Sequence, residues 1–350
     1  MGCEPGYGRC PLRSFVAPPD PPDPPVRHST APSFSVIIPA YQAAEFVGEA
    51  IDSVLQQTHP PDEIIVCDDG STDDLEGSIA PYTGRLTLIH KEHGGLASAR
   101  NAGTRAASGD FVAFLDADNT YLPEYLEAVR ELAVLRPDLD IVTTDAYLEL
   151  DGQIYGRYYR GKARFVADDQ RRGIMHQHFI FGNAVLRRES LLAVGGYDES
   201  VVSEDTDCFV RMILGGSRVG LVDEPLCIYR IREGSLSSNR PRSLRGAVVV
   251  AERARSHPSL SPAERRFLER ELDGKRREAE LAEAEEALRE GATDARSRCL
   301  RIAFGPTRHG FVARGKALAA TIAPRTAARF LEAKERRTGE SRLATRTHGR

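Results

Sequence analysis

Cysteine is scarce in this chain. Six cysteines in 350 residues (Cys3, Cys10, Cys67, Cys208, Cys227 and Cys299) lie scattered, with no pair at metal-ligand spacing. A disulfide framework is therefore not expected in a chain of this size, zinc is disfavoured, and a reducing cytoplasm is the expected compartment. There is no run of 18 apolar residues, which argues against a spanning helix. The N-terminus lacks the charged and apolar blocks of a signal peptide. It opens Met1-Gly2, but position six is Gly6 rather than Ser or Thr, so the myristoylation pattern is not met. After the first apolar strand, PAYQAAEF stands where a dinucleotide-binding enzyme would carry G-x-G-x-x-G, which disfavours NAD chemistry. A sugar nucleotidyltransferase would show a Gly- and Arg-rich triphosphate loop with Lys at the same place, and that is missing too. No internal repeat rises above the Ala/Glu/Arg bias of the C-terminal region.

What is present suits an ordinary globular protein: 41% hydrophobic and 28% charged residues, enough for one large α/β core and an accessory region. The formal charge of −4 hides an uneven distribution. Residues Gly291–Arg350 hold 14 Lys plus Arg against 4 Asp plus Glu, a net of +10, which leaves −14 on the rest. A basic tail on an acidic body suggests an acidic surface such as anionic lipid headgroups, with no nucleic acid among the expected partners.

Residues 1–33 hold 9 of the 21 prolines and read as an extended, disordered leader. From Phe34 the pattern turns into strands alternating with helices. FSVIIP, EIIVCDD (from Glu63), RLTLIH (from Arg85) and DFVAFLDAD (from Asp110) are apolar strands, and helical spacing covers Ala43–Gln57 and Gly95–Ala107. Such βαβ units predict an α/β fold: a mostly parallel, Rossmann-like sheet flanked by helices, over residues 34–240. Ligands then bind at the carboxyl ends of the strands. Those ends carry Pro39-Ala40-Tyr41, Asp68-Asp69-Gly70 and Asp116-Ala117-Asp118. Residues 241–350 read as helical and basic, with a capping box at Ser261 and Glu264 and a break at Pro324. That region fits either a small bundle packed on the first domain or a basic amphipathic element at a membrane surface, with Leu318, Ile322, Ala323, Phe330 and Leu331 on its apolar face.

FLDAD, Phe114–Asp118, ends in two carboxylates that strand alternation sends to the same side. Two hard oxygen donors there suit Mg²⁺ or Mn²⁺ carrying a diphosphate. The bland alternative is that they end a strand and cap the helix that follows. Likewise DDGSTD reads as a turn with an N-cap as readily as a binding loop. Glu204 and Asp205 are either acid–base groups or first-turn acids favoured by the helix dipole. The pair His176 and His178 suits a loop or acceptor pocket better than zinc, for want of a third ligand nearby.

The order FSVIIPAY, CDDGSTD, GGLASARNAG, FLDADN, then GGYDE with SEDTD, resembles family 2 glycosyltransferases of the GT-A fold, over about Phe34–Ser238. The resemblance implies inverting transfer of a sugar from a nucleotide-diphosphate donor, UDP-sugar first, with Mn²⁺ or Mg²⁺ as cofactor. It implies Asp118 as metal ligand, and Asp116 on the ribose, the metal or both. Asp68 and Asp69 would hold the base through its ring N–H, Asp69 ahead of Asp68. Pro39, Ala40 and Tyr41 would floor the nucleotide site. Arg100 would face the diphosphate, or else pair with a carboxylate on a helix surface. Asp205 would be the base and Glu204 would orient the acceptor. The chain departs from the family with Gln42 where Asn is common, which keeps Gln42 out of the expected site, and with Arg232 where His is common, which leaves a third protein ligand to the metal open and would let an Arg contact the diphosphate instead. A catalytically dead module of the same fold would be expected to lose Asp118 or Asp205, and both are present. The acceptor, a glycan or a lipid-linked sugar in cell-surface or secondary glycan assembly, is expected beside the loop from about Asp151 to Phe181, with its Tyr155, Tyr158 and Tyr159. On the membrane-surface reading, as against the packed bundle, the basic C-terminal helices would hold a cytoplasmic protein at the inner membrane face.

Overall fold

The computed structural model describes residues 13–21, 31–232, 239–305 and 309–338. A short strand β1 (Phe15–Val16) precedes the alternating part: β2 (Phe34–Ala40), α1 (Val47–Leu55), β3 (Glu63–Asp68), α2 (Leu75–Ile79), β4 (Thr87–His90), α3 (Leu96–Ala106) and β5 (Phe111–Phe114). Then follow β6 (Thr120–Tyr121), α4 (Tyr125–Leu135), β7 (Ile141–Leu150), β8 (Gln153–Arg157), α5 (Gln170–His176), β9 (Val185–Arg187), α6 (Arg188–Ala193), α7 (Glu204–Leu214) and β10 (Val219–Ile231). Five helices close the described chain: α8 (Arg240–Ala254), α9 (Pro262–Arg289), α10 (Ala295–Phe304), α11 (Phe311–Ile322) and α12 (Pro324–Thr338).

The strands form one sheet in the order β1-β10-β7-β9-β5-β2-β3-β4, with β6 beside β10 and β8 beside β7. Its first half, β5-β2-β3-β4, is parallel throughout. In the second half β9 runs antiparallel to both β5 and β7, while β7 and β10 are parallel. Strand β2 is buried along its whole length because it has strands on both edges and helices on both faces. Its alternation assigns the two cores: Val36 and Ile38 pack with α1 and α4, and Ile37 packs with α3, α7 and α8. Gly103 lets α3 lie close to the sheet, since a Cβ there would stand 2.4 Å from Ile37 Cγ2.

Two expectations change. The disordered reading of residues 1–33 does not hold for 13–21. Phe15 and Val16 pair antiparallel with Val222 and Leu221 and so cover an edge of β10. Arg13 reaches Glu131 at 3.0 Å, and the Pro18 carbonyl accepts from Arg136. Proline carries no N–H, but its carbonyl still accepts, which is how a Pro-rich segment is tied down here. The boundary at 241 also fails to separate two cores. Val250, Ala251, Leu268 and Leu272 of α8 and α9 belong to the same cluster as Phe209 and Ile213 of α7. A distinct cluster begins only at Ala284, and it joins the end of α9 to α10 and α11. The capping box is present as expected, with Ser261 Oγ accepting from the Glu264 N–H. Among the described residues no helix is long and apolar enough to cross a membrane.

Candidate active site

The parallel register places Ala40 opposite Asp68, so the ends of β2 and β3 open together. Pro39 and Ala40 are buried, and Tyr41, 47% exposed, stacks on His93 with ring centroids 4.2 Å apart. Asp68 and Asp69 are both in use. Asp68 accepts from the Ser71 N–H at 2.8 Å and meets His90 Nδ1 at 3.1 Å. Burial works against its charge, but these bonds hold its pKa below the usual carboxylate value. Asp69, 2% exposed, accepts from the N–H groups of Gly94 and Gly95 and from Lys91 Nζ. Its carboxylate therefore organises the start of α3. Gly70 turns the chain at φ 74°, where a Cβ would stand 2.8 Å from the His93 nitrogen.

Gln42, set aside in the sequence reading, clamps the loop after β3. Its Oε1 accepts from the Thr72 and Asp73 N–H groups and its Nε2 donates to Thr72 Oγ1. It sits at φ 50°, an uncommon conformation for a side-chain-bearing residue. That amide geometry leaves no periodic trace in a sequence. Lys91 and His93 were missed too, although the basic stretch HKEH beside an acidic pair was a usable signal.

The GGLASARNAG segment is the joint of the site. Arg100 is 3% exposed, not on a helix surface, and its guanidinium donates to Glu204 Oε1 and to Asp116 Oδ1, each at 2.9 Å. Burial alone would lower its pKa, but Asp116, Tyr197, Glu204 and Asp205 outweigh that and raise it. The next residue, Asn101, pins the loop before α7: its Nδ2 donates to the Tyr197 carbonyl at 2.8 Å, and its Oδ1 accepts from the Tyr197 N–H. One helix turn thus ties the FLDAD turn to the SEDTD helix, 104 residues apart from Arg100 to Glu204.

Asp116 and Asp118 do not project from a strand. Strand β5 ends at Phe114, and the two acids lie in a turn closed by the Asn119 N–H donating to the Asp116 carbonyl. They reach the crevice through that turn rather than through alternation. Asp118 Oδ2 accepts from Arg232 Nη2 at 2.8 Å and Nε at 3.1 Å. Burial and the neighbouring Asp116 push the Asp118 carboxyl up, against the pull of Arg232. Among the described residues no cluster of three or more His, Cys, Asp or Glu can hold a metal by itself. Two carboxylates at one crevice fit Mg²⁺ or Mn²⁺ in the way such ions are held with a substrate's phosphates completing the shell.

Glu204 and Asp205 open α7, with Asp207 a third acid in its first turn. Burial and the adjacent Asp205 push the Glu204 carboxyl up to about 7, opposed by Arg100. Asp205 Oδ1 accepts from the Thr206 N–H at 2.6 Å and from Thr206 Oγ1 at 3.2 Å. His178 Nδ1 meets the same Thr206 hydroxyl at 2.8 Å, whereas His176 turns to Glu271 of α9 at 2.7 Å. The two imidazoles therefore diverge. The tyrosines expected at the acceptor side divide as well. Tyr159 is buried, its hydroxyl donating to the Phe179 carbonyl, and Tyr158 packs on Phe181. Only Tyr155 of the three is exposed.

The sequence pattern of glycosyl transferase family 2 matches residues 35–195. An uncharacterized glycosyltransferase of Rickettsia felis is 30% identical over 240 residues, 67% of this chain and 39% of that protein. The uncharacterized glycosyltransferase EpsJ of Bacillus subtilis is 30% identical over 222 residues, 59% of this chain and 63% of that one. The chain thus spans less than two thirds of the length of either relative. Two solved structures share the fold. S. aureus TarS 1-349 in complex with UDP-GlcNAc gives a TM-score of 0.57 at 19% identity, over 88% of this chain and 92% of that one. The mannosyltransferase PcManGT from Pyrobaculum calidifontis, in complex with GDP-Man and Mn²⁺, gives 0.55 at 22% identity, over 94% and 90%. The fold is of the GT-A type. Residues 35–195 of the chain belong to glycosyl transferase family 2.

Proposed function

We propose that this protein transfers a sugar, with inversion, from a nucleoside-diphosphate donor, UDP-sugar first, to an acceptor hydroxyl of a glycan or lipid-linked sugar. The observation that carries the reading is the Arg100 bridge, which brings Asp116 and Glu204 to one crevice beside the ends of β2 and β3. Asp118 and Asp116 would hold the Mn²⁺ or Mg²⁺. Bound there, the ion supplies Lewis-acid stabilisation to the diphosphate as it leaves. Asp205 takes the acceptor proton, while Glu204, fixed by Arg100, orients the acceptor. Arg100 is buried with both terminal nitrogens bonded to carboxylates, its Nε alone being without a partner, so its part is to position them rather than to touch phosphate. Pro39, Ala40 and Tyr41 floor the nucleotide, with the Tyr41–His93 stack as its flat surface. For Asp68 or Asp69 to accept from the base, one of their present bonds must be exchanged. The imidazole contacts, His90 on Asp68 and His93 on Asp69, are the exposed ones of that set, whereas Lys91 is mostly covered.

The acceptor's setting follows from the far end of the molecule. Leu300, Phe304, Val312, Ile322 and Phe330 of α10–α12 are exposed, interleaved with exposed Lys316, Arg325 and Arg329. A basic surface with apolar side chains suits anionic headgroups, and would bring the crevice to a lipid-linked acceptor at the inner membrane face.

The test is nucleotide release from UDP-, GDP- and dTDP-sugars with Mn²⁺, with and without chelator, in wild type and Asp118→Ala. Release from one donor, abolished by chelator and by the substitution, is expected. No release, together with no metal-dependent nucleotide binding by calorimetry, would sink the reading. Co-sedimentation with anionic liposomes at low salt, lost at high salt, checks the membrane part.

A further inference from the structure

The guanidinium of Arg232 occupies the carboxylate expected to hold the metal, and it does so from a prepared seat. It grips Asp118 Oδ2 through two nitrogens and lies over the Phe46 ring, 4.3 Å from its centroid. Arg230, two residues earlier on β10, lies over the same ring at 5.5 Å but is committed elsewhere, to Glu49 and Glu149. Among the described residues Asp118 is the one carboxylate paired with Arg232. Arg232 keeps 40% of its side chain exposed, so it can leave without unpacking the core.

Charge decides what happens when a cation arrives. Four carboxyl groups, Asp116, Asp118, Glu204 and Asp205, stand against two guanidinium groups, Arg100 and Arg232. Arg100 is buried and bonded at two carboxylates, whereas Arg232 is bonded at one and half-exposed. A divalent ion on Asp118 competes for the same oxygen and repels the guanidinium. Arg232 is the group that yields.

We propose that Arg232 is a built-in counter-ion of Asp118 that a divalent cation must displace, and that the displaced guanidinium then serves the donor's diphosphate. Metal and nucleotide consequently bind as a linked pair, because the nucleotide supplies the anion that receives Arg232. Free metal alone binds weakly. This inference rests on the donor-site reading above and adds an order of assembly to it.

The experiment measures Mn²⁺ binding by electron paramagnetic resonance, alone and with saturating UDP or GDP. The proteins are full-length wild type, Arg232→Gln, Arg232→Lys and Asp118→Asn, each checked for folding by its melting curve. Wild type is expected to gain about tenfold or more in Mn²⁺ affinity when the favoured nucleotide is present. Arg232→Gln is expected to bind Mn²⁺ alone about tenfold more tightly than wild type and to gain little from nucleotide. Arg232→Lys, which keeps the charge but not the two-nitrogen grip, falls between them and serves should the Gln variant not fold. Asp118→Asn loses the metal in every condition. Equal or weaker Mn²⁺ affinity in both Arg232 variants, with nucleotide binding intact, overturns the counter-ion role alone. Failure of every protein to bind Mn²⁺ and nucleotide overturns the donor-site reading along with it.

Discussion

Charged residues face inward at the crevice, and apolar residues face outward at the C-terminal helices. In the crevice, Arg100 is almost fully buried between two carboxylates, and Asp69 is buried beneath two backbone N–H groups and a lysine. In α10–α12, Phe304 is 70% exposed and Ile322 77%, while the small core beneath them is built mostly of alanine. Burying a charge costs free energy unless each partner is in place, and exposing a large apolar side chain forfeits its burial gain. Each region thus departs from the ordinary rule of inside and outside, in opposite directions. Polar groups are buried where geometry must be held, and large apolar groups stand exposed on the C-terminal helices.

The sharpest way to break this contrast is Arg100→Ala. Removing one partner from a buried ion network leaves Asp116 and Glu204 uncompensated, and a loss of about 3–5 kcal/mol in unfolding free energy is expected by denaturant titration. Arg100→Lys, which cannot span both carboxylates in the same plane, should recover only part of it. A loss under 1 kcal/mol would mean the bridge holds nothing together.

Glu204→Gln tests the same network through pH. The folded protein holds the Glu204 carboxyl up at about 7 against an ordinary 4.5. Below about 4.5 both folded and unfolded chains are protonated there, and the stabilising contribution is fully present. It is lost as pH rises through 7, because the folded state must then carry the buried charge. The melting temperature of Glu204→Gln should therefore climb relative to wild type between pH 5 and pH 8. A difference that stays flat across that range would place the ionisation elsewhere.

Gln42→Ala removes three hydrogen bonds to the 71–73 loop and should cost about 1–2 kcal/mol, with a matching loss of nucleotide affinity. At the other end of the scale, Ile322→Ser should change stability by less than about 0.5 kcal/mol, since it removes nothing from the core. The same change should reduce liposome binding. A large destabilisation would instead show that this face is covered within the protein.

How far the sequence is legible follows the same division. The apolar strands β2, β3 and β5 and the capping box at Ser261 are local patterns, and they appear where the residues place them. The meeting of Asp116 with Glu204 depended on topology, and the order of motifs was its only trace. The partners of those residues were harder. Arg100 could be placed near the crevice, but a guanidinium shared by two distant carboxylates has no periodic signature. Asp116 and Asp118 were assigned to a strand that in fact ends at Phe114, because an apolar run does not mark where its ladder bonds stop. Nor could periodicity foresee that α8 and the first half of α9 would enter the core of the sheet domain, since a charged helix with a single apolar stripe looks alike whether it packs at home or abroad.

The most direct test of the central claim is a crystal of this protein grown with Mn²⁺ and the nucleotide it prefers, read by the anomalous scattering of manganese. The account predicts one strong peak at ligand distance from Asp118, near Asp116, with the nucleotide along the ends of β2 and β3 and Arg232 turned away from Asp118. A peak remote from the Asp116–Asp118 turn, or nucleotide bound away from that crevice, would contradict it.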